Sequence, residues 1–195
     1  MALVLLYDDA RSRRICSASA VEISTFRQFL KTEKVFYNKS RVGALLLHHY
    51  QFLMDLAATP VPKELSAWLE SDRKLPVMHC LRADIQDLCA CCPWVSECNK
   101  QDCSAADCIG RLMASQLITD VYEGEQRRMD KFIGAVISKS RRFFYLLQKN
   151  SRQQQNSLFD LVDLLKLKGK EEGAVAHACR TTLINYRSAL KTAIS

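Results

Sequence analysis

Seven of the nine cysteines in this 195-residue chain fall between Cys80 and Cys108. Thiols this crowded bind a metal, pair as disulfides or pack as small apolar groups. Helix geometry prunes the pairings. Cys80 and Cys91, if both are helical, stand about 16 Å apart along the axis and cannot ligate one ion. Cys89 and Cys92 have the C-x2-C spacing that presents two thiolates to tetrahedral zinc, and Cys98 and Cys103 follow across the Pro93-Trp94 turn. The expected ligand set is Cys89, Cys92, Cys98 and Cys103 around a structural zinc, with Cys108 able to replace Cys103 and His79 able to join from the other end. Only five residues separate the two pairs, against a dozen or more in common zinc modules. Disulfides and free thiols therefore stay open beside zinc.

A second surface is cationic. Residues 127–152 hold eight Lys and Arg against Asp130 alone. Wound at 100° per residue, Met129, Phe132, Ile133, Val136, Ile137, Phe143, Phe144 and Leu147 take one side. Arg128, Lys131, Lys139, Arg142 and Lys149 form a stripe on the other, flanked by Arg127, Arg141 and Arg152. Such a stripe tracks a phosphate backbone, each contact releasing condensed counterions. Arg11, Arg13 and Arg14 can extend it. No exposed-aromatic pattern for base stacking accompanies it, so recognition is expected to be sequence-tolerant and salt-dependent. The same stripe also fits an anionic membrane surface, but the aromatic side would then serve both bilayer and core. Residues 51–110 are acidic, nine carboxylates to five bases, which suits a protein partner better than phosphate.

Catalytic constellations are thin. His48 and Asp55 can share a helix face but lack a nucleophile nearby. His177 and Cys179, two apart, fall on opposite sides of a helix. His79 beside Cys80 suggests a cysteine-dependent hydrolase, yet no glycine-rich turn or oxyanion element accompanies it. There is no phosphate-cradling glycine loop, H-E-x-x-H or G-x-S-x-G. Tyr37, His48, His49 and Tyr50 read as helix-packing residues, and Cys16 and Cys179 as buried singletons. The expectation is a non-enzymatic protein.

The elements that position these groups read as helices throughout. Ser19 with Glu22 makes a capping box for a helix reaching about Asn38. A second helix spans Val42 to Ala58 and ends at Thr59-Pro60. A short third contains Leu65, Trp68 and Leu69. A fourth runs from about Val77 to Cys91 and stops at Pro93. Ser104 and Asp107 cap a fifth through Tyr122, and Gly124 breaks or kinks the passage into a sixth over 125–149. Two more occupy about 157–168 and 172–193. No alternating segment suggests a sheet. Ala2 to Leu6 is a core segment or short strand, too short for a signal peptide or a membrane span.

The expected fold is all-α, an irregular bundle of about seven or eight helices with a Cys-rich helix-turn-helix junction. It forms one domain over 1–195, with 77–110 as a zinc-like submodule. The expected function is intracellular, cytoplasmic or nuclear binding of RNA or another anionic polymer. The rival is a structural or adaptor protein, such as a viral matrix-like or assembly subunit on an anionic membrane.

Overall fold

The structure is a computed structural model that describes residues 11–59, 74–89, 104–137, 141–165 and 167–195, with only the helix backbone described at 74–76, 89, 127–137 and 148–157. The described elements are all helical. In chain order they are α1 (Arg11–Ala18), α2 (Ala20–Thr32), a single 3-10 turn η1 (Val35–Tyr37), α3 (Lys39–Ala57), α4 (Lys74–Cys89), α5 (Ala105–Ile137), α6 (Arg142–Leu164) and α7 (Gly169–Ile194). The all-α bundle is as the sequence periodicity predicts.

The middle of the bundle is α5. From Cys108 to Gln126 nearly every residue is buried, including Ser115, Gln116, Glu123, Glu125 and Gln126. A helix apolar on most sides must be surrounded, and α2, α3, η1, α6 and α7 pack around this one. The closest approach is to α7 at Gly110. A Cβ there would stand 2.6 Å from Ala178 Cβ and 2.8 Å from both Cys179 N and Val175 O. Any side chain would force the two backbones apart, because packed interiors have no room to yield.

Several helix boundaries differ from the sequence reading, and each has a physical cause. The expected break at Gly124 is absent, and α5 continues through it. One glycine costs a helix about 1 kcal/mol, which the packing of this buried helix offsets. The Ser19–Glu22 capping box does not form. Ser19 Oγ instead donates to Ile15 O at 3.2 Å, and Glu22 Oε1 accepts from Arg180 Nε of α7 at 3.0 Å. The Ser104–Asp107 cap does form. Asp107 N donates to Ser104 Oγ at 3.1 Å, and Ser104 N donates to Asp107 Oδ2 at 3.1 Å. The predicted helix at 65–69, the Pro93 stop and the segment Ala2–Leu6 lie outside the described residues.

Two helices begin where no local signal marks a start. At α1, Asp163 of α6 accepts from Ser12 N at 2.8 Å and from Ser12 Oγ at 3.0 Å. At α6, Asp84 of α4 accepts from Phe143 N at 2.8 Å. In both cases a carboxylate distant in sequence satisfies N–H groups of a first turn that have no intrahelical partner.

Candidate nucleic-acid interface and the polar cleft

The basic segment is not one helix. Helix α5 ends at Ile137 and α6 starts at Arg142, so the expected continuous helix over 125–149 is divided. Arg127, Arg128 and Lys131 ride on the end of α5, and Lys149 and Arg152 on the first half of α6. Arg141 is the residue before α6, with a non-helical φ of −123°. Lys139 lies outside the described residues, and of Arg127, Arg128, Lys131, Lys149 and Arg152 the backbone alone is described. The cause of the division is Asp84. Its carboxylate is fully buried and accepts from the α6 N-terminus, which fixes where that helix begins.

Arg142 is part of the same junction. Its Nη1 donates to Asp84 Oδ1 at 3.1 Å and to Asp87 Oδ2 at 2.8 Å. The guanidinium is thus tied to two carboxylates of α4, and its pKa is raised chiefly by the hydrogen bonds to Asp87 and Asp84. Burial pushes the Asp84 carboxyl up, while the backbone N–H groups of Phe143 and Arg142 and the Arg142 side chain hold it back. Arg142 therefore positions α6, a role the stripe pattern did not disclose. The apolar side of the start of α6 behaves as expected: Phe143, Phe144 and Leu147 are buried, with Phe144 packed edge-on to Phe36 at 6.0 Å between centroids.

The N-terminal arginines are largely engaged too. Arg11 Nη1 donates to Asp163 O at 2.9 Å. Arg14 makes a two-pronged pair with Glu172, Nε to Oε1 at 2.7 Å and Nη2 to Oε2 at 2.8 Å. That pair is the main reason the Glu172 carboxyl lies below its usual value. Other cations are free of such pairing. Lys34 and Lys39, on either side of η1, are exposed and have no carboxylate partner among the described residues.

Of the expected zinc quartet, Cys92, Cys98 and Cys103 lie outside the described residues, and of Cys89 only the α4 backbone is described. Among the described residues no three His, Cys, Asp or Glu side chains converge as metal ligands. Cys179 is buried and Cys16 half-buried. Burial pushes the Cys16 thiol up to about 12, with Cys179 and then Asp120 and Asp163 adding to it. Burial likewise raises Cys179 to about 11, against a hydrogen bond from Ser19. Cys80 is raised by burial and Asp84. None of these three is a thiolate at neutral pH, the form a nucleophilic cysteine requires.

Helices α3, α5 and α7 enclose a cleft of about 650 Å³ that takes His48, Asp55, Asp107, Arg111, His177 and Asn185 into its lining. The sequence spacing linked His48 only to Asp55; the crossing of α5 and α7 supplies the rest. Its polar groups are engaged locally. Gln51 Nε2 donates to Asp55 at 3.1 Å, Arg111 Nη1 to Thr59 Oγ1 at 3.2 Å, and His48 Nε2 lies 3.1 Å from Tyr186 O. Burial lowers the His48 pKa. Among the described residues no thiol lines the cleft, and Cys179 is buried while His177, two residues away, is exposed.

Beneath the cleft is a buried polar string. His49 Nδ1 is 3.1 Å from Tyr186 Oη, and Tyr186 Oη is 2.5 Å from Tyr122 Oη. Phe26 and Phe143 pack against these rings at 5.5–5.9 Å. Burial, with His48 adjacent, lowers His49 to about 3, so it is neutral under ordinary conditions. His49 and Tyr50 are core residues, as expected, whereas Tyr37 is half exposed.

No protein-family model matches the chain, and no curated protein sequence matches it.

Proposed function

We propose that the chain is a non-enzymatic RNA-binding protein that holds the phosphate backbone through the cations of residues 127–152. The single observation that carries this reading is the charge of that segment, eight bases to one acid, beside Phe143, Phe144 and Leu147, which are committed to the core. Phe143 and Phe144 are fully buried. An interfacial membrane helix needs those aromatics for the acyl boundary, which weighs against the matrix-like rival. Arg142 is set apart as a structural residue, so the contact set is Arg127, Arg128, Lys131, Lys139, Arg141, Lys149 and Arg152. Among the described residues no helix is long and apolar enough to cross a membrane.

The test is RNA retention on filters across a salt series. Affinity for a single strand falls with log salt at a slope of about −0.7 per phosphate neutralised. Changing Arg128, Lys131 and Lys149 together to Glu abolishes retention and leaves helicity intact. Unchanged binding of that variant at low salt refutes the reading.

A further inference from the structure

The start of α6 and the η1 turn meet through Phe36 and Phe144, whose rings lie 6.0 Å apart. The residue following each of these buried phenylalanines is an exposed tyrosine: Tyr37 is 50% exposed and Tyr145 is 68% exposed. On α6, Tyr145 stands 200° around from Phe143, which turns it away from the core. It falls one turn after Arg141 and one turn before Lys149. On the other side, Tyr37 is bracketed by Lys34 and Lys39, both exposed and without a carboxylate partner among the described residues. Lys34 holds φ 48° and ψ 40°, the left-handed conformation that a residue with a Cβ adopts at a cost of roughly 1 kcal/mol. It ends α2 there and turns the chain into η1.

Exposed aromatics set among cations are what an unpaired nucleobase uses: the ring stacks on the base while the cations hold the phosphates. A duplex keeps its bases stacked inside and offers such rings nothing. We propose that Tyr37 and Tyr145 form a stacking face for unpaired bases, so that the nucleic acid taken by this protein is single-stranded RNA. The inference rests on the RNA reading above and gives it a strand state.

Fluorescence anisotropy at low salt tests it, with a labelled oligouridylate of roughly ten nucleotides, an RNA duplex of equal length and phosphatidylserine vesicles as probes. Changing Tyr37 and Tyr145 together to Ala weakens single-strand binding by about tenfold or more and duplex binding by less than about twofold. Changing both to Phe preserves the rings and stays within about twofold of the parent. Duplex binding within about twofold of the parent shows that the Ala pair keeps its fold, and the Phe pair separates the rings from the hydroxyls. Lys34→Gly removes a cation at a backbone conformation that glycine prefers, so weaker binding in that variant does not come from misfolding. If the Ala pair binds the single strand like the parent while the triple Glu variant does not, stacking is refuted and the RNA reading stands. If the parent retains neither RNA probe, both fall. Vesicle binding that the Ala pair loses, with RNA binding unchanged, assigns the tyrosines to lipid and overturns the inference.

Discussion

Two helices in this bundle, α1 and α6, are started by the same device, and they differ in how deeply it is buried. Asp163 holds the first turn of α1 from a half-buried position, and its carboxylate accepts from the N–H and hydroxyl of Ser12. Asp84 holds the first turn of α6 with no exposed surface and also takes the Arg142 side chain. A capping carboxylate near water can be replaced by water when it is removed. A buried one cannot, and the N–H it served is left unsatisfied at a cost of about 1–3 kcal/mol. The comparison teaches that the start of α6, and with it the placement of Tyr145 and Arg141, depends on α4 far more than the start of α1 depends on α6.

The largest expected effect is therefore at Asp84. Asp84→Ala destabilises the fold by about 3 kcal/mol, since it orphans the buried Phe143 N–H and frees Arg142 from one of its two carboxylates. Chemical denaturation measures this, and a loss below about 1 kcal/mol would show that water replaces the carboxylate there after all. Asp120 sharpens the contrast, because this half-buried carboxylate accepts from Gln116 Nε2 of its own helix at 3.0 Å. Burial raises it to about 6, with Glu123 adding to the shift and a hydrogen bond from Gln116 opposing it. A carboxyl raised in the folded state binds its proton before the unfolded one does, so its contribution to stability falls as pH rises from about 4 through 6. Asp120→Asn thus gains about 1–2 kcal/mol over the parent at pH 7 and loses that gain by pH 4. A pH-independent difference between the two proteins contradicts the assignment. The smallest effect belongs to Asp163→Ala, about 1 kcal/mol, with fraying of α1 visible in hydrogen exchange. A loss equal to that of Asp84→Ala would erase the distinction between the two starts.

The same device explains what could be read from the sequence. Helical class, the Ser104–Asp107 cap and the burial of Phe143, Phe144 and Leu147 follow from local residue types and a 3.6-residue period. The starts of α1 and α6 do not, because their partners, Asp163 and Asp84, lie 151 and 59 residues away. Nothing between Ile137 and Arg142 is a proline or glycine, so the apolar period ran through the division unmarked. The opposite error occurred at Gly124, where a local breaker was overruled by the packing of the helix that runs through it. Arg142 is tied to Asp84 and Asp87 of α4, and a stripe drawn from charge alone could not reveal that pairing. Tyr145 was legible in principle: its angle from Phe143 places it outside, although no exposed-aromatic pattern was expected beside the stripe.

The string Tyr122–Tyr186–His49 has a direction. Tyr122 is fully buried, and the hydroxyl of Tyr186 is the neighbour its oxygen reaches. If Tyr122 donates to Tyr186 and Tyr186 donates to His49 Nδ1, every hydroxyl proton has an acceptor; run the other way, the Tyr122 proton is stranded. The order fixes the imidazole as the tautomer with its proton on Nε2. Protonating His49 would place a second donor at Nδ1, facing the Tyr186 hydroxyl, and both tyrosine hydroxyls would have to reverse together. With His49 at about 3 when folded and near 6.5 when unfolded, the string contributes stability that is complete above pH 6.5 and drains away as pH falls toward 3. The three helices that meet there, α3, α5 and α7, are thus joined by a one-way chain of protons that acid can enter only by turning it around.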